Sequence, residues 1–173
     1  MAAGALLLLL ALFVSAPIGA TELRAWTDGN PEPFVLDSLA RDRISLAGQG
    51  DRVVLVHFFA TWCEPCRDEM AALQRLTARF APDRLKILAI NVGEPDSRVR
   101  RFFDALPIDF PILLDRDKAV TKSWQVATLP TTFVLDRTLA PRFVVEGDLD
   151  WASADANQKL AELVDPSPGG GTR

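Results

Sequence analysis

The chain of 173 residues holds only two cysteines and one histidine, and both scarcities exclude chemistry. A structural zinc site needs four ligands, and Cys63, Cys66 and His57 offer no second metal-like pair. A disulfide-stapled scaffold is excluded too, because this single pair closes a loop of a few residues and hardly constrains the unfolded chain. Charge is missing from the start of the chain. Nothing before Glu22 ionises except the amino terminus, so all 19 Lys and Arg and all 23 Asp and Glu fall within residues 21–173. The net charge of −4 speaks against a broad electrostatic footprint for nucleic acid or anionic lipid. The Arg98, Arg100 and Arg101 cluster therefore reads as a solvated helix face. The length suits one domain of about 100–200 residues.

The uncharged start has its own logic. Ala5 to Val14 is an apolar run too short for a comfortable spanning helix but suited to the core of a signal peptide, with small residues at Gly19 and Ala20. The usual cationic n-region is absent, and Ile18 is bulky for its place three residues before a cut after Ala20. Residues 1–20 thus read as a signal peptide or as an N-terminal membrane anchor, since the uncharged stretch approaches the ~20 residues that cross a bilayer. Either reading puts the remainder outside the cytosol. Residues 21–164 form the expected domain, and residues 165–173, with Pro166, Pro168 and three glycines, read as a disordered tail.

Within the domain, the patches Pro33 to Leu36 and Ile44 to Leu46 read as a small hairpin. Val53 to Phe59 is a continuous β-branched and aromatic run, the mark of a strand buried on both faces of a mostly parallel sheet. A helix should follow, because Cys66, Met70, Leu73, Leu76 and Phe80 recur as one apolar stripe that Pro82 ends. The pattern then alternates. A strand over Leu85–Val92, a helix over Ser97–Leu106 with Val99, Phe102, Phe103 and Leu106 inward, and a strand over Phe110–Leu114 imply βαβ crossovers. A short helix around Lys118–Gln125, a hairpin of Thr131–Asp136 with Arg142–Glu146, and a last helix from about Trp151 to Val164 complete the order.

The two cysteines stand as Trp62-Cys63-Glu64-Pro65-Cys66, where the buried strand ends and the helix begins. A thiol at a helix N-terminus faces unpaired backbone N–H groups and the positive end of the macrodipole, which favour a thiolate. That assigns the nucleophile to Cys63. Cys66, one turn deeper, is placed to resolve a mixed disulfide on Cys63, and Pro65 costs little in the first turn, where its missing N–H would be unpaired anyway.

The segment Phe58-Phe59-Ala60-Thr61-Trp62-Cys63-Glu64-Pro65-Cys66-Arg67-Asp68-Glu69-Met70 resembles the active-site segment of the thioredoxin-fold oxidoreductases of the TlpA/ResA/DsbE type. Further motifs follow in order. Phe34 to Leu39 and Ile44 to Leu46 look like that family's N-terminal β-hairpin, Ala89-Ile90-Asn91-Val92-Gly93-Glu94 like the opening of its central helix-strand insertion (about Glu94 to Asp115), and Leu129 to Asp136 like its cis-proline segment, with Gly147 before the last helix. The resemblance covers about Pro33 to Val164. It implies an α/β thioredoxin fold with an N-terminal β-hairpin and a central helix-strand insertion. Peroxidase chemistry at Cys63 is not implied, since Val56 and Ala60 stand where peroxiredoxin-like proteins carry Pro and Thr.

Carried over by position, Cys63 is the attacking and Cys66 the resolving cysteine, and Pro130 is cis and faces the pair. Trp62, Glu64, Pro65 and Leu129 would contact substrate, with the Leu129 backbone pairing with a bound strand. Glu69 matches an acid placed beside the pair; it either exchanges the Cys66 proton or is a solvated first-turn acid. His57 stands where relatives carry Asp or Asn, and is either a proton relay or a hydrogen-bonded core residue. Phe59 replaces a more usual Trp, and Ala71 a Pro.

The resemblance implies a cell-envelope thiol-disulfide oxidoreductase, periplasmic or otherwise extracytoplasmic, that needs no cofactor or metal. It would be kept reduced by a membrane thiol-disulfide electron donor and would reduce protein disulfides, with apocytochrome c cysteines first and copper-site cysteines of an oxidase subunit second. Acidic neighbours at Glu64 and Glu69 favour a reductant by opposing the Cys63 thiolate. A thioredoxin-fold copper chaperone using Cys63, Cys66 and His57 is the alternative. It is disfavoured because copper-delivering relatives use a wider cysteine pair and a downstream histidine, and no histidine follows His57.

Overall fold

The computed structural model describes residues 21–166. The readings of residues 1–20 and 167–173 lie outside the described residues. Among the described residues no helix is long and apolar enough to cross a membrane.

The centre of the fold is β4 (Val53–Phe59), in which every residue is buried. Its odd residues Val53, Leu55 and Phe59 enter one apolar layer, and its even residues Val54, Val56 and Phe58 the other. A strand loses solvent on both faces only when helices or loops cover both, so its sequence is apolar without alternation. β5 (Leu85–Val92) pairs parallel to β4, and β6 (Ile112–Asp115) parallel to β5. On the other side β7 (Thr131–Leu135) pairs antiparallel to β4, followed by β8 (Pro141–Glu146) and the two-residue β1 (Arg24–Ala25). The sheet order is β1-β8-β7-β4-β5-β6.

One face is covered by α1 (Glu64–Thr77) through Met70, Leu73 and Leu76, by α4 (Ala154–Val164) through Ala156, Leu160 and Val164, and by Val99 of α2 (Asp96–Asp104). The opposite face receives Trp124, at the end of α3 (Ala119–Ser123), with Phe34 and Leu46 from the N-terminal segment. That segment contains the expected hairpin, β2 (Val35–Asp37) against β3 (Arg43–Ser45). It closes on the edge of β6, where Ser38 bridges to Leu113 and the Leu39 N–H donates to the Ile112 carbonyl at 2.8 Å.

Four details differ from the sequence reading. α1 stops at Thr77 rather than reaching Phe80, because the Thr77 hydroxyl bonds back to the Gln74 carbonyl and the Arg79 N–H tightens to a bond with Leu76. Phe102 is not turned into the core; it lies half-buried at 4.9 Å from the Phe103 ring, with the Arg67 guanidinium 5.5 Å above it. α4 starts at Ala154, where the Ser153 hydroxyl accepts from the Ala156 N–H, so Trp151 precedes the helix. Asp165, read as the start of the tail, ends α4 and pairs with Arg84.

Asp115 fixes the far side of the insertion. It is fully buried, and its carboxylate accepts from the N–H of Val120, the N–H of Thr121 at 2.7 Å and the Thr121 hydroxyl at 2.6 Å. Truncating it strands buried donors at the start of α3. Asp115→Ala should lower unfolding free energy by about 2–3 kcal/mol, seen as a lower urea midpoint at unchanged slope.

Candidate active site

β4 ends at Phe59, and after Ala60, Thr61 and Trp62 the chain reaches Cys63, the N-cap of α1. Its Sγ accepts a hydrogen bond from the Cys66 N–H at 3.3 Å, so the sulfur occupies the place where an N-cap oxygen would satisfy a free helix donor. Glu64 and Pro65 fill the first turn, where Pro has no donor to lose. Cys63 and Cys66 form a disulfide, with Cα atoms 5.3 Å apart. Cys63 retains 7% exposure and Cys66 1%, so an incoming sulfur has access only to Cys63. Beside it Trp62 is 68% exposed, an unusual cost for an indole on a folded surface.

The loop before the disulfide is held by a group that the sequence reading saw only as the opening of the insertion. The buried Glu94 carboxylate accepts from the Thr61 N–H at 2.6 Å, from the Thr61 hydroxyl at 2.6 Å and from the Asn91 side-chain amide at 2.7 Å. Gly93, between Asn91 and Glu94, has φ +67°, a left-handed conformation that suits glycine. Thr61, one residue from Trp62, is thereby tied to the end of β5.

The Leu129–Pro130 peptide is cis. Because Thr131 pairs with Phe58 and Thr132 with His57, this peptide lies just past the C-terminal end of β4, level with the turn that leads to Cys63. The Pro130 carbonyl accepts from the Gly147 N–H at 2.8 Å, which anchors the turn to the end of β8. Pro130 is buried and Leu129 half-buried, and among the described residues the Leu129 N–H and C=O take no hydrogen bond.

Two titratable groups are buried on or beside the α1-covered face. Glu69 is 3% exposed, so the solvated-acid reading fails. Its Oε1 accepts from the Trp151 indole N–H at 2.6 Å, while Oε2 is buried without a partner. Desolvation raises this carboxyl to about 7, against the opposing pull of the Trp151 bond. Trp151 is 82 residues away in sequence, so no local pattern announces the pair. His57 is fully buried, with Nδ1 at 2.8 Å from the Thr132 hydroxyl and Nε2 unpartnered. Burial alone lowers the imidazole to about 3, so it is neutral at physiological pH.

The AhpC/TSA family matches residues 30–140. A thiol-disulfide oxidoreductase ResA from Geobacillus thermodenitrificans is 34% identical over 144 residues, spanning 83% of this chain and 82% of that protein. The chain belongs to the ResA-like thiol-disulfide oxidoreductases of the AhpC/TSA family. The thioredoxin-like protein YneN of Bacillus subtilis is 37% identical over 113 residues, covering 63% of this chain and 65% of that one. Among solved structures, a thiol:disulfide interchange protein assigned as DsbE from Chlorobium tepidum superposes with a TM-score of 0.74 at 20% identity, over 83% of this chain and all of that chain. The expected thioredoxin fold is therefore found, and the ResA-like family makes this protein a thioredoxin-like protein-disulfide oxidoreductase.

The two buried groups of this ResA-like protein act on stability with opposite sign. Glu69 holds its proton more tightly folded than unfolded, so its contribution is full below about pH 4.5 and fades as pH rises to about 7, a swing of about 3 kcal/mol. His57 resists protonation when folded, so its contribution is lost as pH falls from about 6.5 toward about 3. Between about pH 4.5 and 6.5 the slopes offset. Urea titrations of the oxidised protein should expose each in turn: Glu69→Gln gains stability as pH rises through this window, and His57→Asn loses it. Parallel slopes in the two variants would contradict the opposed titrations.

Proposed function

We propose that this oxidoreductase works outside the cytosol as a reductant of specific protein disulfides, with Cys63 attacking and Cys66 resolving. The observation that carries the reading is the Cys63 sulfur at the N-cap of α1, accepting the Cys66 N–H, beside the cis Leu129–Pro130 turn. In the reduced enzyme the same N–H and the helix dipole favour a Cys63 thiolate. The thiolate attacks one sulfur of the target disulfide and releases the other as a thiol. Cys66, losing its proton, then displaces the target from Cys63 and leaves the enzyme disulfide. Two electrons pass to the target in all.

The other assigned residues serve this exchange. The free Leu129 N–H and C=O offer a strand edge to the target backbone, and Pro130 keeps that edge against the disulfide. Trp62, Glu64 and Pro65 form the exposed rim on which the target rests. Glu69 is suited to take the Cys66 proton and return it, because a carboxyl near 7 does both at neutral pH. His57 is a neutral packed residue in this scheme, not a relay. Acidic Glu64 opposes the thiolate and favours the reductant direction, and Glu69 adds its charge only as pH passes about 7.

The charge-free residues 1–20 support export or tethering, and the resemblance supports apocytochrome c cysteines as targets, then copper-site cysteines, with a membrane dithiol protein as the electron source. The described structure gives the copper-chaperone alternative no additional ligand: His57 is walled in, with Nδ1 already bonded to Thr132.

Two experiments test the reading. Insulin reduction should vanish in Cys63→Ala and in Cys66→Ala, while Cys66→Ala should retain targets as mixed disulfides on Cys63. A reduction potential near the ~−270 mV of thioredoxin agrees with a reductant, whereas one near about −120 mV reverses the direction. The pH–rate profile assigns the proton carrier. Glu69→Gln should remove the inflection near pH 7, and His57→Asn should leave it in place.

A further inference from the structure

Five of the chain's arginines line one cleft of about 770 Å³ between the β2–β3 turn and α2. Arg41 comes from the turn, Arg43 from the start of β3, Arg100 and Arg101 from α2, and Arg116 from the residue after β6. In an acidic chain this is a local reversal of sign. Arg116 ties the two walls together: its guanidinium takes both oxygens of Asp96 at 2.8 and 2.9 Å and one of Asp37 at 2.9 Å. That fork holds the Asp96 carboxyl below its ordinary value and engages two of the three carboxylates that line the cleft.

The four remaining guanidiniums are left with little. The side chains of Arg41 and Arg101 make no hydrogen bond or ion pair among the described residues, that of Arg100 donates only to the Leu39 carbonyl at 3.2 Å, and Arg43 lies 3.8 Å from the Asp37 carboxylate already engaged by Arg116. Against them the cleft offers one further acid, Asp104. Arg41 also holds a left-handed backbone, φ +75°, closed by its N–H on the Ser38 carbonyl at 3.0 Å. For a residue with a Cβ this conformation is strained.

The position matters as much as the charge. β4, β5 and β6 are parallel, so Arg116 after β6 and Asp96 after β5 are at the same end of the sheet as Cys63 after β4. Glu94, two residues before Asp96, carries the bonds to Thr61. Arg98, Arg100 and Arg101 are all exposed, as a solvated helix face requires; Arg98 leans toward Glu94 at 4.0 Å, while Arg100 and Arg101 line the cleft.

We propose that this cleft docks an acidic polypeptide segment of the protein whose disulfide reacts at Cys63. The inference rests on the reductase reading for its target, and on guanidinium forks that match carboxylates two-on-two for its chemistry. The cleft, walled by a turn and a helix, suits an extended chain whose carboxylates meet guanidiniums on both walls.

Binding is separable from catalysis. Fluorescein-labelled hexaglutamate, which has no cysteine, should bind the oxidised full chain saturably in fluorescence anisotropy and weaken steeply from about 20 to about 300 mM salt. Arg41→Glu/Arg101→Glu should weaken it about tenfold or more, while Arg75→Glu/Arg79→Glu, the same change in net charge on exposed positions of and just after α1, should not. Equal loss in both variants, or no binding, overturns the proposal. Binding of phosphatidylglycerol vesicles in place of hexaglutamate, lost in the cleft variant, also overturns it and reassigns the cleft to lipid. In turnover, a disulfide peptide with a glutamate tail should show a lower KM than its lysine-tailed twin at equal kcat, a difference erased in the cleft variant. Hexaglutamate binding without reduction of either peptide would count against the reductase reading and leave the docking site standing.

Discussion

The complete burial of β4 is the constraint from which the rest of the molecule follows. Seven consecutive residues without solvent need cover on both faces and pairing on both edges, and the chain spends α1, α2 and α4 on one face and α3 with the N-terminal segment on the other. Pairing then positions chemistry. Parallel β5 brings Glu94 to the end of β4, and antiparallel β7 brings the Leu129–Pro130 turn there from the opposite side. The disulfide loop emerges between two supports set by strand register. A slip of one residue would turn His57 and Thr132 to the other face and move the turn away from Cys63.

Burial also sets the electrostatics beneath the disulfide. A neutral imidazole at His57 places no charge in the core, so the field acting on Cys63 comes from the N-terminus of α1 and from the acids about the loop, Glu64, Glu94 and the partly titrated Glu69. The opposing titrations of His57 and Glu69 let both groups be buried without a strong dependence of stability on pH in the mildly acidic range. One group alone would have tied stability to the acidity of the compartment. The Trp151 indole serves the same end, because it pairs one Glu69 oxygen without adding a charge.

What the sequence made legible was whatever a local pattern encodes. The continuous apolar runs of β4 and β5 mark strands buried on two faces, the cysteine spacing marks a helix start, and the ordered motifs from Phe34 to Asp136 mark the thioredoxin fold. Long-range partners were not legible. Glu69 on the helix looks like any solvated helix acid until Trp151 arrives from the loop before α4, and Glu94 looks like a loop residue until Thr61 meets it. β1 has two exposed residues and exists only because β8 offers an unpaired edge. Phe102 carries the helical period of a core residue, yet the Arg67 guanidinium above it gives its ring another place to rest.

The central insertion gains meaning from these long-range contacts. As an addition to a smaller fold it could have been a spacer, supplying edge strand β6 and little else. Its first residue, Glu94, argues otherwise. Without that carboxylate the Thr61 N–H and hydroxyl would lose charge-assisted bonds of about 1.5–3 kcal/mol each, and the turn before Trp62 would keep the Cys63 N–H bond to the Ala60 carbonyl but lose its tie to β5. A nucleophile on a loosely held loop gives up the orientation on which exchange depends. The insertion thus contributes the clamp that fixes the disulfide loop and, six residues further on, the helix face that carries Arg100 and Arg101. One segment couples the rigidity of the reacting sulfur to the surface beside it, which is reason enough for a domain of this size to carry more than the minimal fold.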